Sequence, residues 1–353
     1  MTELNTKKLE ALTEKAMNDA AGALVVLMAY IGDQTGVYAA MDKAGPLSAG
    51  DLAKRSGLNE RYLREWLSAN AIAGYVDYDE NTDKFTLNEE QATVFSREGK
   101  PTCLQGFFEN IVSQYETHEK AVETFRSGKG RPWSEQSKCC FCSTDRIFRP
   151  GYNANLIENW IPALNGVEAR LKTGGKIADI GCGHGSSSIL MAKTYPNSKI
   201  VGIDFHPPSI EIARQKAREA NLSNLEFIVA RAQDFEEKDF DFACIFDALH
   251  DMGDPIGAAQ HIKSALKPNG TFMVVEPTAG DSLAENMGRP LSQILYSGST
   301  IVCVPASLSQ EGQYGLGAQA GQAKLTEVLN KGGFSNVRRA AETPTNIILE
   351  VRP

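Results

Sequence analysis

From residue 171 onward the chain alternates two kinds of segment, and that alternation admits few folds. Short apolar runs rich in branched or aromatic residues (KIADI, KIVGID, LEFIVA, FACIF and TFMVVE) are separated by longer stretches of helical character such as SSSILMAKTY, SIEIARQKAREA and IGAAQHIKSALK. Strand, helix, strand at this spacing builds βαβ units around a parallel sheet, because parallel neighbours need a long crossover. The last two runs break the rule. NVRRAAE and NIILEVR are separated only by TPT, enough for a hairpin and too short for a crossover. The predicted fold class is therefore α/β, a parallel sheet that finishes in an antiparallel hairpin.

The first hundred residues read differently. After a helical opening, Ser48 can cap a short helix to Arg55, Gly57 punctuates, and a second helix places Tyr62, Leu63, Trp66 and Leu67 on one apolar face. Gly74 stops it, and YVDYD and KFTLN form a short hairpin around Asn81. Helix, turn, helix, hairpin is the winged-helix pattern. A surface that tracks phosphates is basic. Here Arg61 and Arg64 are offset by Glu60 and Glu65, and the wing sets Asp77, Asp79, Glu80 and Asp83 against Lys84. Interaction or dimerisation, rather than nucleic-acid binding, is the expectation. Between these halves, residues 101–170 are mainly helical and rich in aromatic residues, including Phe107, Phe108, Tyr115, Trp133, Tyr152 and Trp160. The expected division is 1–100, 101–170 and 171–353, with no internal repeat.

Composition narrows the class. The 353 residues suffice for about two domains. A net charge of −8 argues against a partner held by phosphate neutralisation. No run reaches the ~18 apolar residues of a membrane span, and MTELNTKKLE has no basic-then-apolar leader layout. A cytoplasmic protein is expected, with no membrane partner. Cys139, Cys140 and Cys142 crowd together in KCCFCS, but zinc frameworks pair Cys-x2–4-Cys with a distant second pair, and none follows. Cys182, Cys244 and Cys303 fall in or beside apolar segments and read as buried thiols.

ADIGCGHGSSS joins the first of the five runs to its helix. Gly181, Gly183 and Gly185 allow close backbone approach to a ligand, and the helix behind them offers free N–H groups. The spacing is G-x-G-x-G, since position 186 is Ser, so this is not the dinucleotide fingerprint. Asp179 at the strand end does not suit a phosphate but does suit an ammonium group. Asp204 closes the next strand, where an acid grips ribose hydroxyls in doubly wound folds. The loop therefore calls for a nucleoside with a cationic amino-acid tail.

ADIGCGHG, GIDF, AQDF, LKPNGTFMVVEP and LNKGGFSNV together resemble the class I S-adenosylmethionine-dependent methyltransferases, and the antiparallel end of the sheet is that family's hallmark. With its winged-helix front half, the chain resembles the two-domain small-molecule methyltransferases, plant-type O-methyltransferases and bacterial relatives among them. The resemblance implies a Rossmann-like methyltransferase sheet over 171–353, an N-terminal domain that forms a homodimer, and a helical connector over 101–170 that covers the active site. It implies S-adenosyl-L-methionine as cofactor, S-adenosyl-L-homocysteine as product, and a small-molecule methyl acceptor. Asp179, Gly181 and Gly183 would line the methionine part of the cofactor, with Gly185 completing the loop. Asp204 would accept from the ribose hydroxyls, with Phe205 beside the adenine. Gln233 or Asp234 would meet the adenine amino group, and Asp247 would face the sulfonium end.

Plant-type O-methyltransferases carry His-Asp-Trp after the strand corresponding to FACIF, the His acting as general base. This chain has His250-Asp251-Met252. A histidine can accept a proton near neutral pH, and the resemblance places Glu276 of VVEP beside it as the orienting carboxylate. Asp251 is expected to point elsewhere. A purely structural His250 that hydrogen-bonds backbone is the competing reading. No metal is expected. Oxygen is the expected acceptor atom, with N- or C-methylation, or a cofactor-sensing transcriptional regulator, as alternatives.

Overall fold

The computed structural model describes residues 4–353 and resolves into two compact units. The first comprises the residues up to 116 together with 138–150; the second comprises 117–137 and 151–353. The middle region thus divides between the two units.

In the first unit, a long helix, Thr6–Gln34, leads into the winged-helix elements. The helix Ala49–Ser56 begins in a capping box in which Ser48 and Asp51 satisfy each other's backbone N–H groups, and ends at Gly57 with φ 73°. The helix Glu60–Ile72 buries Leu63, Trp66 and Leu67. Tyr62, expected on the same face, is 80 % exposed; the buried stripe follows 63, 66, 67 and 70, so the helical rotation carries position 62 outward. The wing is the hairpin of β1 (Asp77–Asp79) and β2 (Lys84–Thr86). The arginines of the preceding helix pair locally: Arg61 with Glu65, and Arg64 with Glu60 and Asp83. Gly32 is required where the long helix meets the core, because a Cβ there would lie 2.4 Å from the Tyr38 ring and 2.6 Å from Trp66. Arg146 is held by Asp33 at 2.8 Å, Glu109 at 2.6 Å and Glu98 at 3.1 Å.

The second unit is a seven-stranded sheet. Its strands are β3 (Lys176–Ile180), β4 (Lys199–Asp204), β5 (Leu225–Val229), β6 (Phe240–Phe246), β7 (Leu266–Pro277), β8 (Asn336–Glu342) and β9 (Asn346–Arg352). The spatial order is β5-β4-β3-β6-β7-β9-β8. All neighbours from β5 to β7 run parallel, and β9 is antiparallel to both β7 and β8. Alternation along the strands feeds two apolar layers. Ala178, Ile180, Ile203, Ala243 and Ile245 pack on one face with the helices Pro255–Ala265 and Gly321–Lys331. Ile177, Ile200, Phe242, Cys244 and Met273 pack on the other with Trp160, Leu171 and Met191. Sheets covered on both faces need near-continuous apolar strands, which is why these runs show little polar alternation.

One feature departs from the sequence expectation. Leu291–Leu308 is a helical run long and apolar enough to cross a membrane by length and composition alone. The sequence reading missed it because Gly, Ser and Pro break the apolar run while leaving its mean hydropathy high. Its end is pinned within the unit: Ala306 is buried, and the Ser307 hydroxyl donates to the Met252 carbonyl at 2.7 Å.

Candidate active site

The strand order reverses between β3 and β6, the place where open α/β sheets leave a crevice beyond their carboxyl ends. Two loops meet there. The glycine loop follows β3 with Gly181, Gly183 and Gly185 at φ 70°, 52° and 76°, a region that costs an L side chain about 1–2 kcal/mol. The other loop follows β6 and carries Asp247 to Met252. The two are close enough that a Cβ on Gly181 would lie 2.9 Å from that of Ala248. Gly185 is crowded against Phe227, whereas Gly183 faces open space.

Around this crevice the polar groups form three sets. Asp204 ends β4; its Oδ2 accepts from the Gly183 N–H at 2.9 Å and its Oδ1 from that of His206 at 2.8 Å. Burial raises its pKa against the pull of those donors. Each oxygen keeps a further lone pair, and the neighbouring Phe205 ring is 48 % exposed. Asp179 is fully buried and accepts from the Ser187 and Ser188 hydroxyls at 2.6 and 2.5 Å. Burial still pushes its carboxyl up to about 6. The open space at Gly183 and the two buried acids make an acceptor set that suits a ribose and cationic groups. It fits the nucleoside–amino acid ligand better than a polyphosphate.

The third set holds His250, which lies in a single 3-10 turn, Leu249–Asp251, just past β6. Its Nδ1 meets Glu276 Oε2 at 2.5 Å, while Glu276 Oε1 accepts from the Leu249 N–H at 3.0 Å. Both side chains are buried. Burial alone would lower the His250 pKa, but Glu276, Asp251 and the Cys303 thiol together hold it well above the ordinary value. Contrary to expectation, Asp251 turns toward this ring, its Oδ1 3.3 Å from Nε2. Asp247 adopts φ 48° and accepts from Asn346 Nδ2 at 2.8 Å. Burial and Glu276 raise its pKa well above the carboxylate range.

Other expected residues stand apart from these sets. Asp234 is exposed and pairs with Arg231, and the Gln233 amide reaches the Asp254 carbonyl at 3.3 Å. His206 meets Ser209 at 2.8 Å, and His261 holds the Phe235 carbonyl. Cys139, Cys140 and Cys142 lie on the helix Lys138–Asn155, where neighbouring side chains diverge, and range from buried to exposed. Sequence reasoning missed Cys303, whose thiol reaches hydrogen-bonding range of both His250 and Asp251, and Asn346, the partner of Asp247. Neither carries a local motif.

Comparison with known proteins agrees with this picture. Residues 171–333 match the methyltransferase domain family, and residues 23–97 match the Rv2258c-like winged HTH domain. The demethylmenaquinone methyltransferase of Listeria welshimeri is 29 % identical over 110 residues, which are 30 % of this chain and 47 % of that protein. That of Lactococcus lactis is 33 % identical over 107 residues, 30 % of this chain and 42 % of that protein. The matched segment thus spans less than half of either relative. Among solved structures, mitomycin 7-O-methyltransferase MmcR superposes with a TM-score of 0.73 at 18 % identity, covering 99 % of this chain and 100 % of that one. Human N-acetylserotonin methyltransferase in complex with SAM gives 0.72 at 17 %, covering 99 % and 98 %. The second unit accordingly has the fold of the S-adenosylmethionine-dependent methyltransferases. The chain thus carries a segment that matches the methyltransferase domain family behind one that matches a winged helix-turn-helix domain.

Proposed function

We propose that the protein transfers a methyl group from S-adenosylmethionine to an oxygen of a small organic acceptor. His250 takes the acceptor's proton and Glu276 orients the imidazole. The observation that carries this reading is the buried His250–Glu276 contact of 2.5 Å, which engages Nδ1; an acceptor at Nε2 would take the place that Asp251 holds at 3.3 Å. The cofactor supplies an electrophilic methyl on a sulfonium. The chain's own work is alignment, worth several kcal/mol when geometry is held, and removal of a proton. Asp204 would bind the ribose, Phe205 would flank the adenine, with Gln233 or Asp234 meeting its amino group, and Asp179 with Gly181, Gly183 and Gly185 would hold the amino-acid end. Asp247 would face the sulfonium.

The same reading makes the protein a cytoplasmic homodimer joined through its N-terminal unit. The local pairing of Arg61 and Arg64 supports an interaction role for the winged helix over phosphate binding. The test is incubation with methyl-labelled cofactor and fractionated small-molecule extract, alongside His250→Ala. Label in a small molecule, reduced about a hundredfold in the variant, is the expected result for general-base catalysis. Equal transfer by both proteins overturns the role of His250.

A further inference from the structure

Three side chains from two distant segments converge on one point beside Glu276. His250, Asp251 and Cys303 each bring one ligand atom, the three within 4.8 Å of one another, and Nε2 of His250 lies 3.3 Å from Oδ1 of Asp251. His250 is buried, while Asp251 and Cys303 are partly exposed. Oδ1 of Asp251 is itself buried, and no oxygen or nitrogen donor satisfies it with good geometry, the weak Cys303 thiol aside. A buried acceptor without a strong donor is costly, and His250 Nε2 of the same cluster lies 3.3 Å away.

The separations match a metal site. Bonds of about 2.0–2.1 Å to nitrogen and oxygen at a tetrahedral angle put those ligand atoms about 3.3 Å apart. The observed Nε2–Oδ1 separation is 3.3 Å. The histidine is also set up from behind. Metal-bound imidazoles usually give their other ring N–H to a carboxylate, and Nδ1 of His250 meets Glu276 at 2.5 Å.

Cys303 is held where it is by specific backbone events. It ends a π-helical turn, Ser299–Cys303, and such turns shift the side chains that follow. Pro305, two residues on, has no N–H to give to the Ile301 carbonyl. The buried Arg131 donates to that carbonyl instead, at 3.0 Å, and its own N–H bonds the Pro305 carbonyl at 2.8 Å. Gln310 reaches the Asp251 carbonyl at 2.8 Å, so the helix end and the His250 loop are tied together.

We propose that His250, Asp251 and Cys303 form a three-ligand site for one thiophilic divalent cation of the zinc type, with a fourth position open. Thiolate, imidazole and carboxylate together select zinc or cobalt over magnesium or calcium. The ion takes the Nε2 lone pair, which the transfer reading gives to the acceptor's proton. Metal occupancy and proton removal by His250 are therefore alternatives at one nitrogen, and the metal acts as an inhibitor of that step. The binding site itself stands on geometry and goes beyond the methyl-transfer reading.

The test is titration of the chelator-treated full-length protein with Co2+, read by thiolate-to-cobalt charge-transfer absorption and by equilibrium dialysis. One cobalt per chain is expected, with the band retained in Cys142→Ser and lost in Cys303→Ser. Asp251→Asn should weaken binding at least tenfold while keeping the band. Circular dichroism and thermal melting establish that each variant is folded. If Cys303→Ser does not fold, the Asp251→Asn affinity decides. No stoichiometric binding, or binding indifferent to both substitutions, overturns the site. Methyl transfer is measured separately on the chelator-treated protein, so that the function proposed above stands or falls independently of the cobalt result.

Discussion

Asp179 illustrates how a single buried acid can couple cofactor binding to pH. Its carboxyl is pushed up to about 6 by burial, against the Ser187 and Ser188 hydroxyls. The unliganded fold therefore prefers the neutral form. Between 3.8 and about 6 the unfolded chain ionises while the native carboxyl still holds its proton, so stability falls as pH rises across that window. A cationic ligand favours the ionised form instead. Cofactor affinity should then be flat above pH 6 and weaken up to about tenfold per pH unit below it. Calorimetric titration of wild type and Asp179→Asn checks this, the variant losing the pH dependence. Asp204 has a different role. Hydrogen bonds to a charged group are worth roughly 1.5–3 kcal/mol, so Asp204→Ala should weaken cofactor binding by one to two orders of magnitude, with secondary structure by circular dichroism unchanged. Glu276→Gln keeps the shape of the His250 pair and removes its charge. A fall in kcat of about tenfold or more, with cofactor affinity intact, is the expected outcome in steady-state kinetics.

At the scale of elements, the glycine loop sets two demands that one substitution type can separate. Gly183 needs only its left-handed φ, since nothing lies within 4 Å of a Cβ there. Gly183→Ala should cost about 1–2 kcal/mol. Gly185 combines φ 76° with a Cβ position 2.5 Å from the Phe227 ring. Gly185→Ala should cost clearly more, because Phe227 belongs to a small core cluster with Ile210 and Ala213 and has nowhere to retreat. Chemical denaturation of the two variants gives the comparison. The elements themselves were legible beforehand. KIADI, FACIF and the TPT hairpin appear as β3, β6 and β8–β9 because local periodicity and connection length suffice to specify them. The position of Tyr62 was not legible, since one apolar residue at the edge of a helical stripe can fall on either side. Nor was the site's third member. Cys303 is aimed at His250 by a π turn, a proline and an arginine from another segment, none of which leaves a periodic signal.

At the scale of the whole molecule, the long helix Thr6–Gln34 presents Leu9, Leu12, Met17 and Leu24 to solvent, and Met17, Leu24 and Ile31 recur at seven-residue intervals on one side. A stripe of that length on the solvent side of the helix favours association with a second copy. Sedimentation should give a dimer for wild type, and Met17→Glu with Leu24→Glu a monomer that still binds cofactor. The amino-acid sequence by itself determined the α/β class, the winged helix and the glycine loop, while the pairing expected of His250 with Glu276 came from the family resemblance. Strands, turns and motifs are local in the chain, and the topology of parallel crossovers leaves little freedom. Only the tertiary structure decided that Asp251 turns toward His250, that Asn346 holds Asp247, and that Cys303 completes the cluster. Those contacts join segments far apart in sequence, and their directions depend on backbone turns and packing that no single segment encodes.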